Sequence, residues 1–282
     1  LKILLVGGSS AVSQALIPTL ESLGELRTAG REGCHIDLDL TFPWESFKIP
    51  AGTNVVVNTA ASFGSSGFDD LSRGVELNVL GALKLLNASI ASGVSHFVNF
   101  SSINASLPES SPYFDTYALS KRQGDEAIEL VSRKVGISCT ILRPSQIYGM
   151  PFFRRRQKFL YYAVDQSIKG YDIKIYGNRA PLRNYIHTDD LCRVVFSVIS
   201  KRVTGCFQCA HPNNSSFADI ADAAISASSS KGQVVFDQTK ADIPDNVFPY
   251  DSSLYESIGT LPFIGIREGI QKTMEGLMQI PK

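Results

Sequence analysis

Lys2-Ile3-Leu4-Leu5-Val6-Gly7-Gly8-Ser9-Ser10-Ala11-Val12-Ser13 is the stretch on which the reading of the whole chain turns. Ile3 to Val6 is an apolar run of strand length that stops at two glycines, and from Ala11 to Leu23 apolar residues recur at helical spacing. Strand, glycine turn and helix in that order open a parallel sheet, because parallel strands need a crossover. The alternation continues downstream. Leu26 to Ala29, Cys34 to Leu38, Asn54 to Val57, His96 to Phe100 and Ser138 to Leu142 read as buried strands, and helical patterns lie at Leu77 to Ala91 and Tyr117 to Val135. The expected fold class is therefore α/β, a doubly wound parallel sheet, with a smaller C-terminal domain after the change of texture at Gly149.

Composition narrows the function classes. A chain of 282 residues, 44% hydrophobic and 19% charged, is neither disordered, collagen-like nor a disulfide-stapled miniprotein. Lys plus Arg equals Asp plus Glu at 27 each, which removes the global electrostatic case for a nucleic-acid or anionic-membrane partner. No apolar run approaches the roughly 20 residues of a membrane span, and Gly7-Gly8 interrupts the N-terminus before it can serve as a signal-peptide core. A soluble, cytoplasmic protein is expected. Of five cysteines, Cys34, Cys139 and Cys192 lie in or beside apolar stretches, and Cys206-x-x-Cys209 stands without a second pair. In an extended segment those two point to opposite faces, so no metal site is expected.

In a doubly wound sheet, ligands bind beyond the carboxyl ends of the strands, where a helix N-terminus receives a phosphate. A G-x-x-G-x-x-G fingerprint fits at Gly7, but Ser10 and Ser13 occupy the other two glycine positions. A serine hydroxyl that donates to the phosphate offsets part of the cost of the added Cβ; a plain helix-capping turn is the other reading of the loop. The second strand ends at Gly30-Arg31, where an NAD site presents an acid to the ribose, and Arg31 instead offers a planar cation to a 2′-phosphate. NADP, or otherwise NAD, is thus the expected cofactor, with Asp39 and Leu40 beside the adenine and Ala60 and Ala61 letting the dinucleotide lie against the backbone. Arg31 also reads as an ordinary surface arginine, and the two alanines as packing residues.

Tyr117 and Lys121 stand at i and i+4, stacked on one helix face. An ammonium beside a phenol lowers its pKa toward working pH, so Tyr117 can exchange a proton with a carbinol oxygen during hydride transfer. Ser102, just past the end of the strand His96 to Phe100, can hydrogen-bond the same oxygen.

With these residues the chain resembles the extended short-chain dehydrogenase/reductases, in particular the NAD-dependent epimerase/dehydratase group that acts on nucleotide sugars. The resemblance runs through Gly7, Asn58-Thr59-Ala60-Ala61, Asn78-Val79-Leu80-Gly81-Ala82, Phe100-Ser101-Ser102, Tyr117 to Lys121, Leu142 to Gly149 and Arg183 to Leu191. It implies a Rossmann dinucleotide-binding domain at 1–149 plus about 184–210 and a substrate-binding domain at about 150–183 and 211–282. It also implies catalytic roles for Ser102, Tyr117 and Lys121. The cofactor contacts it implies are Gly7, Ser9, Ser10, Ala11, Val12, Arg31, Asp39, Leu40, Ala60, Ala61, Asn78, Tyr117, Lys121, Pro144 and Ile147, and the substrate contacts Ser62, Ser102, Gln146 and Arg183. Arg183, with one of Arg154, Arg155 or Arg156, is expected to clamp a diphosphate, although the triplet also reads as a solvated face. A homodimer packed through the helices near Leu77 to Ala91 and Tyr117 to Val135 is a further implication.

Departures from the family pattern narrow the reaction. Family 4,6-dehydratases carry an Asp-Glu pair directly after the catalytic Ser or Thr, whereas Ile103 and Asn104 stand here and neither transfers protons. Gln146 replaces an Asn and Asn184 an Asp. The stretch from Gly24 to Asn58 is similar to dTDP-4-dehydrorhamnose reductases, which with Arg31 favours 4-keto reduction by NADPH. A nucleotide-sugar C4 epimerase that retains its NAD, and a non-catalytic dinucleotide-binding protein on the same fold, are the alternatives.

Overall fold

β1 (Lys2–Val6) is buried from Ile3 onward because it lies inside a sheet: in the computed structural model it pairs in parallel with β2 (Glu25–Gly30) on one side and β4 (Val55–Asn58) on the other. β3 (Ile36–Asp37) extends the sheet beyond β2, and β5 (His96–Phe100), β6 (Ser138–Pro144) and a seventh strand, Gly205–Cys209, extend it beyond β4. All neighbours run parallel. The order from the seventh strand through β6, β5, β4, β1, β2 to β3 reverses between β4 and β1, and at such a switch point a crevice opens beyond the carboxyl ends. The structure describes residues 1–64 and 67–278; the end of the expected second domain, 279–282, lies outside them.

Helix α1 (Ala11–Leu23) starts where the Ser10 hydroxyl accepts the Ser13 N–H, and it stops at Gly24. The expected helix at Leu77 to Ala91 is more elaborate. α2 (Gly67–Gly74) runs into a π-helical turn, Val75–Gly81, and then into α3 (Ala82–Ala91). A wide turn of this kind re-aims the residue it contains, here the buried Asn78. α4 (Thr116–Val135) is capped by Asp115, which accepts the Ala118 N–H, and ends at the left-handed Gly136. A Cβ at Gly124 of α4 would lie 2.4 Å from the Asn78 carbonyl oxygen, so glycine is what lets α4 press on the π-turn. Leu4, Val56 and Phe97 of the sheet pack with Leu85, Leu86 and Ile128 of α3 and α4 in the core between them.

The chain divides into two compact units. The first comprises Leu1–Pro144, Cys192–Cys209 and Asp251–Thr260; the second, Ser145–Leu191, Ala210–Tyr250 and the chain from Leu261. These limits differ from the sequence-based division. Residues 145–149 and 184–191 join the second unit, where the short parallel strands Gln146–Tyr148 and Tyr185–His187 pair. Asp251–Thr260 joins the first, because the helix Ser253–Ile258 packs against the seventh strand and Lys201 Nζ donates to the Ile258 carbonyl. Within the second unit the helix Phe217–Ser228, started by a Ser216/Asp219 capping box, packs on Lys158–Ile168 and Ile266–Met278, with the Phe159 and Phe217 rings stacked 3.8 Å apart.

Candidate active site

A cleft of about 670 Å³ opens at the carboxyl ends of β1, β2 and β4. Gly7, Ser9 and Ser10 of the first turn line it, facing Gly30 and Arg31 past β2, Asp39 and Leu40 past β3, and Ala60, Ala61 and Ser62 past β4. Gly7 has φ +81°, and a Cβ there would lie 2.7 Å from the Ala60 backbone N, so this crossing of two strand ends tolerates only glycine. Ala11 and Val12 form the first turn of α1, where amide N–H groups lack an intrahelical acceptor and attract an anion. Exposed Arg31 adds a cation to the same cleft. Tight glycine crossing, helix amides and guanidinium together fit a phosphorylated dinucleotide. The Asp39 carboxylate accepts the Thr41 N–H and hydroxyl, both at 2.9 Å, and the N–H holds its pKa below the usual carboxylate value; Leu40, between them, is buried.

The expected donation from a loop serine to phosphate is not what the hydroxyls do. Ser13 is fully buried and its Oγ lies 2.6 Å from Thr59 Oγ1, while Ser10 Oγ lies 3.0 Å from the same atom. Both serines are tied to the end of β4, and of the loop hydroxyls it is Ser9 that is exposed at the cleft.

Two of the three expected catalytic residues, Ser102 and Lys121, lie at the carboxyl end of β5, and Tyr117 stands one turn before Lys121 on α4. Lys121 is buried, and its Nζ donates to the Phe100 carbonyl at 2.9 Å, which brings the ammonium to the strand end that carries Ser102. Ser102 is half-buried and caps the short 3₁₀ turn Ile103–Ser106, accepting the Asn104 N–H. Tyr117, one turn before Lys121, is half-buried with its ring stacked on Phe63, centroids 4.9 Å apart at 22°. The loop that carries Phe63 is pinned on both sides. Asn78 accepts the Ser62 N–H and donates to the Ser62 carbonyl, each at 2.9 Å, and Thr116 Oγ1 donates to the Gly64 carbonyl at 3.1 Å. Asn78 thus acts on the site by holding its wall.

Burial brings the Lys121 ammonium down to about 8 against the pull of Asp125. Asp125 Oδ2 accepts Ser101 Oγ at 2.7 Å and Arg143 Nε at 2.8 Å; burial pushes this carboxyl above its usual value in spite of Arg143. The sequence reading gave no role to Asp125, Arg143, Thr59 or Phe63, although Thr59 and Arg143 stand in segments that carry the family resemblance and Asp125 in i+4 spacing from Lys121.

Pro144 ends β6 in the first unit, whereas Gln146 and Ile147 lie in a strand of the second, Ile147 buried and Gln146 half-buried. Arg183, the expected diphosphate clamp, is largely buried. It is 6% exposed, its Nη1 donates to the Leu182 and Pro244 carbonyls, and its guanidinium lies 5.4 Å from the Phe217 ring centre. Asn184 likewise braces a loop, through the His211 backbone and the Asn214 side chain. Arg154 pairs with Asp165 and lies over Tyr161, and Arg155 and Arg156 are exposed. Burial pushes the Cys206 thiol up to about 12, and among the described residues no three His, Cys, Asp or Glu side chains cluster to hold a metal. No described helix is long and apolar enough to cross a membrane.

Sheet order, switch-point cleft and glycine crossing define a doubly wound fold of the dinucleotide-binding class. Residues 3–207 match the family described as NAD dependent epimerase/dehydratase, and the chain belongs to that family. The dTDP-glucose 4,6-dehydratase of Mycobacterium tuberculosis H37Rv is 27% identical over 184 residues, 60% of this chain and 54% of the relative, so the match spans about half the dehydratase. A putative UDP-glucose 4-epimerase of Methanocaldococcus jannaschii is 21% identical over 249 residues, 84% of this chain and 79% of the relative. The fold is shared with UDP-N-acetylglucosamine 4-epimerase from Bacillus cereus (TM-score 0.80, 18% identity, 100% of this chain and 98% of that one). It is also shared with RMD from Pseudomonas aeruginosa, solved with NADPH (TM-score 0.77, 17% identity, 98% and 96%).

Proposed function

We propose that this protein binds NADPH in the cleft at the ends of β1, β2 and β4 and reduces the 4-keto group of a nucleotide sugar. The observation that carries the reading is the Lys121 anchor at Phe100, which brings ammonium, phenol helix and Ser102 to one strand end of the unit that holds the cleft. A bound nicotinamide supplies the hydride. Tyr117 gives its phenolic proton to the carbonyl oxygen as negative charge develops there, and Ser102 donates a hydrogen bond to the same oxygen. Lys121 keeps a positive charge beneath the phenol. Ile103 and Asn104 offer no carboxylate after Ser102, which speaks against a 4,6-dehydratase despite the likeness to those enzymes.

The cofactor preference is tested by fluorescence titration of nucleotide-free protein with NADPH and NADH. Arg31→Ala should weaken NADPH by about tenfold or more, the worth of a charge-assisted pair with phosphate, and leave NADH unchanged. Equal losses for both nucleotides would remove Arg31 from 2′-phosphate recognition. Because Lys121 titrates near 8 and its charged form is the active one, turnover should be flat below that pH and fall as pH rises through it. A pH–kcat profile that stays level to pH 10 would show that the Lys121 charge is not needed.

Likeness to the putative UDP-glucose 4-epimerase supports a second reading, C4 epimerisation with retained NAD. Stoichiometric NAD carried through purification would favour it over reduction.

A further inference from the structure

We propose that Thr59 is the positioning residue that lets a loop with serine at two glycine positions still receive a dinucleotide phosphate. The inference rests on reading the cleft as a dinucleotide site. It follows from counting hydrogens. Thr59 Oγ1 has two carbonyl acceptors, Val6 at 3.0 Å and Gly7 at 3.4 Å, and these take its one proton. Its two lone pairs then face Ser10 Oγ at 3.0 Å and Ser13 Oγ at 2.6 Å, so each serine donates to Thr59. Ser10 Oγ in turn accepts the Ser13 N–H at 3.1 Å.

The two serine protons are thereby turned toward Thr59 at the end of β4, and the Thr59 proton toward the end of β1. Two consequences reach the cleft. Ser10 Oγ is held on the Ser13 N–H at the start of α1, which leaves the Ala11 and Val12 amides to an anion, and the buried Ser13 is satisfied where a third glycine gives close packing of helix on strand. With an apolar residue at 59, Ser13 becomes a buried donor without an acceptor and Ser10 is released to turn toward the helix amides. Serines and threonine therefore work as one set, and removing the threonine alone is worse than removing all three.

The test is NADPH and NADH titration of the wild type, Thr59→Val, Thr59→Ser and the triple variant Thr59→Val/Ser10→Gly/Ser13→Gly, with circular dichroism as a check on folding. Thr59→Val should weaken NADPH by about tenfold or more, because the released Ser10 hydroxyl competes with the phosphate for the helix amides, and Thr59→Ser should keep near wild-type affinity. The triple variant should bind within about threefold of the wild type, since glycine costs little at the cap. If Thr59→Val fails to fold while the triple variant folds and binds, the coupling stands. Wild-type affinity in Thr59→Val, or a triple variant as weak as Thr59→Val, overturns the proposal. A wild type that binds neither nucleotide while the triple variant binds overturns it too, and leaves the dinucleotide reading intact. Binding by neither protein removes both.

Discussion

Tyr117→Phe is expected to lower turnover about 10²- to 10⁴-fold, the usual worth of a positioned general acid, while NADPH affinity stays within about twofold. The variant removes the phenolic oxygen. Phenylalanine keeps the ring that stacks on Phe63, and α4 keeps its Asp115 cap and its Lys121 anchor at Phe100. What is lost is the proton donor at the oxygen where charge develops. The measurement is single-turnover oxidation of NADPH with whichever 4-ketohexose nucleotide the wild type reduces, set beside a fluorescence titration of the same preparation. Turnover near the wild-type rate would take Tyr117 out of the chemistry. Equal losses of binding and turnover would instead make it part of the cleft wall.

Asp125→Ala should destabilise the first unit by about 3 kcal/mol, at the lower end of the cost of removing one partner from a buried ion pair. The carboxylate is 1% exposed and bonds both Ser101 and Arg143, whose own side chain is 22% exposed and reaches Ser106 Oγ at 3.2 Å. Its removal orphans the Ser101 hydroxyl and leaves two cations, Arg143 and Lys121, without their shared counter-charge. The partial exposure of Arg143 sets the lower figure. In urea the unfolding midpoint should drop by about 1 M or more. Burial outweighs the attraction at Asp125 itself, so Asp125→Leu/Arg143→Met, which removes the unpaired guanidinium but leaves Ser101 and Lys121 without the carboxylate, should recover part of the loss. A single variant as stable as the wild type, or a double variant less stable than the single, would contradict this account. Activity carries a second signature. Asp125 is the group that raises the Lys121 pKa against burial, so the alkaline fall in turnover should move to lower pH in any folded Asp125 variant.

How much of this was legible in the chain depends on how far apart the partners stand. Strand, glycine turn and helix at Lys2 to Leu23 followed from spacing, because burial of a strand and of one helix face leaves different periods in neighbouring residues. Tyr117 and Lys121 share a face for the same local reason, and the glycine at 7 is written into a crossing that admits no Cβ. The π-turn at Val75–Gly81 was not legible, since the contact it makes with α4 at Gly124 joins residues more than forty positions apart. Nor was the fate of the loop serines: capping Ser10 is local, but the Thr59 hydroxyl that takes both lies 49 and 46 residues along the chain.

Arg183 shows the same divide from the other side. Its motif suggested a cation for a ligand, and the tertiary structure spends its Nη1 on two backbone carbonyls and its flat face on Phe217. By itself the sequence determined the alternation of strand and helix from Ile3 to Leu142, and with it the α/β class, and the Tyr-Lys face, because each of these depends on residues within a few turns of one another. Only the tertiary structure decided which hydroxyls face the cleft, which charges are buried together at Asp125 and where the two units divide, because hydrogen bonding and desolvation act between residues that spacing alone does not bring together.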